Sequence, residues 1–252
     1  MSYRPGARLR TQMSTVSSRL LGWTLLLIAL ACFPVSTPHA QPTDHPPDTI
    51  AARLLACAAC HGPQGQGTDS DYFPRLAGKP AGYLMNQLVA FRDGRRRYPP
   101  MNYLLEYIAD SYLRQMADYF AALRPPPVAQ TVPDASPALL ARGHALATQG
   151  DPGHGVPACM GCHGPALTGM EPAIPRLVGL HANYISAQLG AFRYGTRTAP
   201  APDCMQIVAG SLTESDVTAV AAWLASLPVP ADPSPVAKGT LAMPLRCGSE
   251  PN

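Results

Sequence analysis

Charged side chains are scarce in this sequence, and no hydrophobic run approaches the ~20 residues that a membrane-spanning helix needs. Asp, Glu, Lys and Arg make up 14% of the 252 residues, whereas hydrophobic residues make up 46%. That balance argues against a disordered chain and against one that coats nucleic acid. Sustained alternation of polar and apolar residues is also missing, so β-strands are not indicated. These absences predict an all-α fold.

Acidic residues are absent before Asp44, although the same stretch carries four arginines. An apolar run from Leu20 to Cys32 follows the last of these arginines, and its length suits the core of an export signal. We therefore predict that residues 1–40 form a signal peptide and that the mature protein is periplasmic. Its 15 basic and 16 acidic residues would give a net charge of −1, which predicts no nucleic-acid partner. Cleavage before Cys32 would instead allow lipid attachment, and a retained signal would act as an anchor, so either event would bring the protein to a membrane.

The sequence repeats itself at an offset of 101 residues, as in Pro74-Arg75-Leu76 and Pro175-Arg176-Leu177. We predict two copies of one domain, at residues 41–126 and 137–228, joined by a Pro-rich linker at 127–136. A Pro-rich tail at 229–252 should have little regular structure. Five further pairs match at the same offset: Tyr83 and Tyr184, Gln87 and Gln188, Phe91 and Phe192, Arg92 and Arg193, and Gly94 and Gly195.

Each copy contains three segments with a helical pattern. The first precedes a cysteine motif, and in the second copy its Gly143 is expected to let this helix approach Trp223. The second helix carries apolar residues at helical spacing, and the third closes the copy. The predicted segments are 48–56, 83–91 and 111–123 in the first copy, and 137–148, 184–192 and 214–227 in the second.

Both copies contain the sequence Cys-x-x-Cys-His, at residues 57–61 and 159–163. Two thiols at this spacing can add to the two vinyl groups on one edge of a haem, and the histidine then becomes the proximal iron ligand. A redox disulfide or half of a zinc site would use Cys-x-x-Cys alone, but neither explains a histidine in both motifs. We predict two covalently bound haem c groups, attached through Cys57, Cys60, Cys159 and Cys162 and ligated by His61 and His163.

A methionine in a Pro-containing loop of each copy is the candidate for the second axial ligand. Met101 follows His61, and Met205 follows His163, at nearly the same distance along the chain. The spacing from each methionine to an aromatic residue of the last helix, Tyr119 or Trp223, is identical in the two copies. We predict His/Met ligation of both irons, which favours electron transfer at high potential. Four other methionines (Met85, Met116, Met160 and Met170) are better explained as core residues.

Cys204 adjoins Met205 and leaves two interpretations open. It is either a thiolate ligand of the second haem, which would lower the haem potential, or the disulfide partner of Cys247 in an oxidising compartment. Among the supporting residues, Pro74 and Pro175 are placed to accept a hydrogen bond from the proximal histidine. Six matched residues are candidates for binding haem propionates or for ordinary packing: Arg75, Arg176, Tyr83, Tyr184, Gln87 and Gln188. Three histidines are expected in solvent: His144, His154 and His181.

The chain resembles the dihaem cytochromes c4 over residues 48–228. The resemblance is carried by both Cys-x-x-Cys-His motifs, the Pro-Arg-Leu-x-Gly segments, the Tyr-x-x-x-Gln-Leu-x-x-Phe-Arg helices and the two loop methionines. It implies tandem class I cytochrome c domains whose haems face each other across an interface. It also implies electron transfer to a terminal oxidase or a similar acceptor. Cys204, Cys247 and the short approach to the first motif depart from the family pattern.

The expected function is therefore that of an electron carrier without catalytic residues, with redox proteins as donor and acceptor, among them a membrane-bound oxidase. Two alternatives remain at this point. One is a haem enzyme of the peroxidase or thiosulfate-oxidising type, with Cys204 as a haem ligand. The other is a cytochrome subunit of a periplasmic dehydrogenase.

Overall fold

The computed structural model describes residues 48–129 and 131–250. The predicted signal peptide and Cys32 lie outside the described residues. Within them the fold is helical, with isolated β-bridges and no β-sheet, as predicted. No helix of the described part of the chain has both the length and the apolar character needed to cross a membrane.

The helices follow the repeat, so the chain is described below as a first half (residues 48–126) and a second half (residues 137–250). In the first half they are α1 (Ile50–Arg53), α2 (Leu55–His61), α3 (Ala81–Arg92), α4 (Pro99–Leu105) and α5 (Asp110–Ala122). In the second half they are α6 (Pro137–Thr148), α7 (Met160–His163), α8 (Ala182–Arg193), α9 (Cys204–Ser211) and α10 (Glu214–Ser226), with a 3-10 turn at Pro152–His154.

Three short helices that carry candidate ligands were not predicted: α4 and α9 carry the two methionines, and α7 carries His163. Met101 lies in the first turn of α4, and Met205 lies in the first turn of α9. The prediction of an irregular loop around each methionine was therefore wrong. Helices of seven and eight residues are too short to show a clear 3.6-residue pattern, although their starts carry ordinary signals. Pro99 opens α4, and the Asp203 side chain caps α9 through the Gln206 amide.

The first helix of the second half packs closely on the last one. A Cβ atom added to Gly143 of α6 would lie 2.1 Å from the Ala219 carbonyl oxygen and 2.7 Å from the Trp223 Cβ atom of α10. Only glycine permits this crossing, as the sequence predicted. Arg142 strengthens the contact, because its guanidinium bonds Asp216 of α10 and Asp151.

The start of α10 is determined by the side chains of Thr213 and Asp216. The Thr213 hydroxyl accepts from the Asp216 amide, and the Asp216 carboxylate accepts from the Thr213 amide. This reciprocal pair satisfies two backbone donors that the helix itself leaves free. It fixes the residue at which α10 begins. The helix that packs on α10 is α6, the first helix of the second half.

Each half has its own hydrophobic core. Leu84, Phe91, Leu113 and Phe120 belong to the core of the first half. Leu146, Ile185, Leu224 and ten other buried residues form the core of the second. The predicted core methionines agree: Met116 and Met170 are buried, while Met85 and Met160 pack against the cores from the side.

The Pro-rich tail has little regular structure, as predicted, but it is fastened to the second half. The Val236 amide donates to the Gly169 carbonyl, and the Glu171 amide donates to the Val236 carbonyl. Further along, the Gly248 amide donates to the Pro202 carbonyl. The first two bonds hold the tail against residues 169–171, and the last holds it beside the segment that carries Met205.

Candidate haem sites

Both motif histidines are buried and held in the same way. His61 Nδ1 lies 2.8 Å from the Pro74 carbonyl oxygen, and His163 Nδ1 lies 2.7 Å from the Pro175 carbonyl oxygen. A carbonyl oxygen only accepts, so each Nδ1 must carry the proton. The Nε2 atom of each ring then keeps a free lone pair, which is the state a metal-ligating histidine needs. The predicted roles of Pro74 and Pro175 fit this geometry.

Electrostatics favour the neutral imidazole at both positions. Burial lowers the pKa of His61, which is 8% exposed, and the pKa of His163, which is 7% exposed. The charge of Lys79 contributes further to the lowering at His163, and that of Arg96 to the lowering at His61. Neutral rings that offer Nε2 are consistent with a proximal ligand and not with a charged surface histidine.

No disulfide bond joins the four motif cysteines in the described part of the chain. Burial raises the pKa of the Cys159 thiol to about 11, and it also raises the pKa values of Cys57 and Cys162. Redox-active Cys-x-x-Cys pairs instead have a lowered pKa. No three Cys, His, Asp or Glu side chains converge on a possible metal position within residues 48–129 and 131–250. The redox-disulfide and zinc alternatives therefore find no support in the described residues.

A cavity in the second half brings the predicted site residues together. Cys159, Cys162, His163 and Met205 all line it, beside the Pro175 that holds the histidine. The rest of its wall is mainly apolar and includes Leu146, Val156, Ile185, Leu189, Phe192, Val208, Leu212, Val220 and Leu224. An apolar cavity with thiols and an imidazole at one side and a thioether among its walls suits a haem bound through two cysteines.

The first half repeats these elements around its own core. Cys57 and Met101 both pack against the buried cluster that contains Leu84, Leu113 and Phe120. The Gly67 amide donates to the His61 carbonyl, just as the Gly169 amide donates to that of His163. The backbone after each motif therefore folds back in the same manner.

Cys204 and Cys247 form a disulfide bond. The structure thus favours the second of the two interpretations left open by the sequence, and Cys204 is not placed as a haem ligand. The bond ties the tail to the start of α9, beside Met205. Leu245, Cys247 and Ser249 of the tail line the cavity as a result, so the tail forms part of the wall of the second site.

The two halves meet through a set of matched polar residues, here called the interface network: Tyr83, Gln87, Arg96, Tyr184, Gln188 and Arg197. The Arg96 guanidinium donates to the Tyr184 hydroxyl at 2.9 Å and to Gln188 Oε1 at 2.7 Å. Reciprocally, Arg197 donates to the Tyr83 hydroxyl at 3.1 Å and to Gln87 Oε1 at 2.8 Å.

The backbones around the two arginines also pair. The Arg97 amide donates to the Thr196 carbonyl, and the Thr198 amide donates to the Arg95 carbonyl. Arg96 and Arg197 were not among the predicted site residues, although they match at the same offset of 101 as the rest of the repeat. That match was the signal that could have found them.

The buried cations near the sites offer a test of whether the residues fit a haem. Arg96, Arg176, Arg197 and Lys79 are all buried. None of them forms an ion pair with a carboxylate in the described part of the chain. Buried charges are costly unless they are paired, so the site lacks anions that a bound group should bring. Each haem carries two propionates, and the residues therefore fit the group.

Other predicted residues divide between agreement and correction. Arg75 is not free for a propionate, because its guanidinium donates to the carbonyls of Ala77, Pro125 and Pro126. His144 and His154 are exposed, as expected. His181 was wrongly expected in solvent. Its side chain is 12% exposed and lies against the first half, with Nε2 at 3.2 Å from the Thr68 carbonyl oxygen.

Comparisons with known proteins agree with this geometry. A family model described as Cytochrome c matches residues 50–117 and again residues 140–228. Each match contains one Cys-x-x-Cys-His motif. The fold and the site thus define a protein of the cytochrome c class with two domains in tandem. Membership implies covalently bound haem c.

Individual relatives show which family within the cytochrome c class this chain resembles. A cytochrome c4 from Pseudomonas aeruginosa is 38% identical over 178 residues, which cover 70% of this chain and 86% of the relative. A thiosulfate dehydrogenase electron acceptor from Thiomonas intermedia is 38% identical over 183 residues, covering 73% of this chain and 83% of the relative. The crystal structure of reduced cytochrome c4 from Pseudomonas stutzeri superposes with a TM-score of 0.61 at 33% identity, covering 70% of this chain and 96% of that one. The chain belongs to the cytochrome c4 family.

Proposed function

We propose that this protein is an exported electron carrier that holds one haem c in each half. Cys57 and Cys60 attach the first haem, and Cys159 and Cys162 attach the second. His61 and Met101 ligate the first iron, and His163 and Met205 ligate the second. The observation that carries the proposal is the cavity in which Cys159, Cys162, His163 and Met205 meet.

The protein residues supply attachment, ligation and exclusion of water. When bound, each haem supplies an iron that exchanges one electron between its ferric and ferrous states. Pro74 and Pro175 orient the imidazoles through their carbonyls and leave Nε2 of each ring free, where it would bind the iron. A thioether sulfur as the sixth ligand stabilises the ferrous state and raises the potential. If His61 and Met101, and His163 and Met205, ligate the two irons, no ligand position would remain for a substrate, which is the property of a carrier.

The interface network joins the two halves, so it would lie between the two proposed haem sites. Because Arg96 and Arg197 are buried between the halves, propionates directed at them would lie near each other. We expect an electron to enter through the haem of one half and to leave through the haem of the other while the two halves stay in contact. The residue pairs are reciprocal, so the boundary is built alike from both sides.

The partners follow in part from the relatives. Cytochromes c4 and thiosulfate dehydrogenase electron acceptors are both among the similar proteins. We propose a periplasmic donor that oxidises a quinol or a small sulfur compound, and a terminal oxidase or similar acceptor. The role of acceptor for a separate dehydrogenase retains the carrier chemistry. The haem-enzyme alternative through Cys204 loses its motivating residue, because that cysteine is in a disulfide bond.

Potentiometric titration with visible spectra tests the proposal. The matured protein should show two one-electron steps, low-spin ferrous spectra for both haems, and the long-wavelength absorption of a Met–iron bond when oxidised. Rapid mixing with a reduced quinol-oxidising complex or with a thiosulfate dehydrogenase would then show which donor reduces it. A high-spin haem with an open coordination position would contradict the carrier function.

A further inference from the structure

Lys79 is a buried lysine for which the established features of the site give no reason. It is 6% exposed and forms no hydrogen bond or ion pair through its ammonium among the described residues. Its charged group lies over the ring of Tyr83, with Nζ at 5.6 Å from the ring centre. A contact with an aromatic face offsets only part of the cost of burying an ammonium group.

Lys79 belongs to the first half but lines the cavity of the second. The same cavity is lined by Cys159, Cys162 and His163. The two halves touch closely at this point, because a Cβ atom added to Gly82 would lie 2.6 Å from the Pro172 carbonyl oxygen. The lysine therefore reaches the second haem site from across the domain boundary.

The surroundings of Lys79 are positive. Burial lowers the pKa of Lys79 to about 8; the neighbouring Tyr83 opposes this shift, and repulsion from Arg176, Arg197 and Arg96 adds to it. Four cations thus share one buried region, and in the described residues no carboxylate pairs with any of them. Such a cluster is tolerable only if anions enter it, and carboxylates are the anions that a haem brings.

The repeat shows that Lys79 is not a requirement of the fold. At the offset of 101 residues its counterpart is Leu180, which is also buried. A leucine at this position satisfies the packing in one copy, whereas the other copy carries a charge. Lys79 of the first half therefore gives the haem site of the second half a positive charge. Leu180 of the second half is uncharged and gives none to the site of the first half.

We infer that Lys79 is a cross-domain ligand of a propionate on the second haem and that it raises the reduction potential of that haem. This inference rests on the proposed function, since it requires a haem in the second cavity. A fixed positive charge near an iron disfavours the ferric state, which carries one more positive charge than the ferrous state. Loss of the ammonium would also leave the propionate charge uncompensated, and both effects have the same sign.

The experiment compares matched methionine substitutions in the full-length, matured protein. Lys79→Met removes the charge and keeps an unbranched side chain of similar length, so it should fold. Leu180→Met makes the matching change in the other copy without altering charge, and Lys238→Met removes an exposed lysine. Lys79→Arg keeps a cation at the position. The readouts are haem content and the two midpoint potentials from a spectroscopic titration.

We expect Lys79→Met to keep two haems while one midpoint potential falls and the other moves by less than half as much. Lys79→Arg should restore most of that fall, and neither control should reproduce it. Two bound haems with both potentials unchanged in Lys79→Met would overturn the inference, as would an equal shift of both. Fewer than two haems in the unsubstituted protein would instead overturn the proposed function, so the two failures are distinguishable.

Discussion

The two halves of this protein repeat the residues proposed to bind haem, but they support those residues differently. In the first half the chain enters its motif from α1, a helix of four residues. In the second half α6 has 12 residues and packs on α10 at Gly143. The elements that agree are the motif, the carbonyl behind each histidine and the methionine at the start of a short helix. These shared elements are the ones that the haem site requires, whereas the elements that differ stabilise each copy.

The halves also differ in what covers the methionine side. In the first half α4 and the turn after it expose Tyr103, Leu104 and Tyr107 by 80%, 55% and 88%. In the second half the disulfide fastens the tail beside Met205, and the tail walls the cavity. Exposed apolar groups close together are typical of contact surfaces. We therefore expect the haem site of the first half to be more accessible to added ligands than that of the second half.

Removal of the attachment cysteines should have the largest effect and tests the difference in support. Cys57→Ser/Cys60→Ser and Cys159→Ser/Cys162→Ser should each lose one haem, because the thioether bonds cannot form. The second half should keep more of its helix without haem, since α6, α10 and the disulfide remain. Haem content together with far-ultraviolet circular dichroism measures both effects. Equal loss of helix in the two variants would contradict the proposed difference.

Replacement of the methionines should lower one potential at a time. Met101→Leu and Met205→Leu should each shift one midpoint downward by roughly 0.2 V, a fraction of the ~0.8 V range that axial ligands span. Half of the Met–iron absorption should disappear in each. Met160→Leu, at the edge of the second core, is the control that should leave both potentials in place.

The same two variants sharpen the comparison of access. Added imidazole should bind faster to the open iron of Met101→Leu than to that of Met205→Leu, because the tail covers the second site. Stopped-flow absorbance gives both rates. A faster reaction at the second site would show that the tail does not act as a cover.

Removal of the disulfide should destabilise the second half alone. The double variant Cys204→Ser/Cys247→Ser releases a link between residues 43 positions apart, which is worth about 2–4 kcal/mol. Its visible spectrum should stay that of the unsubstituted protein, since Cys204 is not expected to bind iron. Denaturant unfolding followed at the haem bands gives the stability. Loss of the second haem's low-spin spectrum would favour Cys204 as a ligand after all.

The smallest effect is expected at the crossing of α6 and α10. Gly143→Ala places a methyl group against the Ala219 carbonyl and should cost about 1–3 kcal/mol of second-half stability. Gly190→Ala in α8 is the matched control, because nothing lies within 4 Å of its added Cβ atom. It should be neutral or stabilising. Equal effects of the two changes would mean that the crossing is not tightly packed.

Local patterns in the sequence predicted what local chemistry determines. The motifs, the carbonyls of Pro74 and Pro175, the role of Gly143 and five of the six main helices follow from spacing and residue type. The segment predicted as one helix at 48–56 is instead divided at Leu54 into α1 and α2, and α2 continues through the first motif to His61. The short helices around Met101 and Met205 were missed because one or two turns carry too little periodicity. The burial of His181 and Lys79 and the contacts of Arg96 and Arg197 across the two halves were missed for another reason. Their roles depend on how the copies meet, and no pattern within one copy encodes that contact.

The proposed carrier function requires that one haem is attached to each half. Mass spectrometry of the protein matured in a cytochrome-producing host, before and after proteolysis, tests this. The intact chain should carry two haems, and the peptides containing Cys57 and Cys159 should each retain one. A single haem per chain, or free thiols at either motif, would contradict the account.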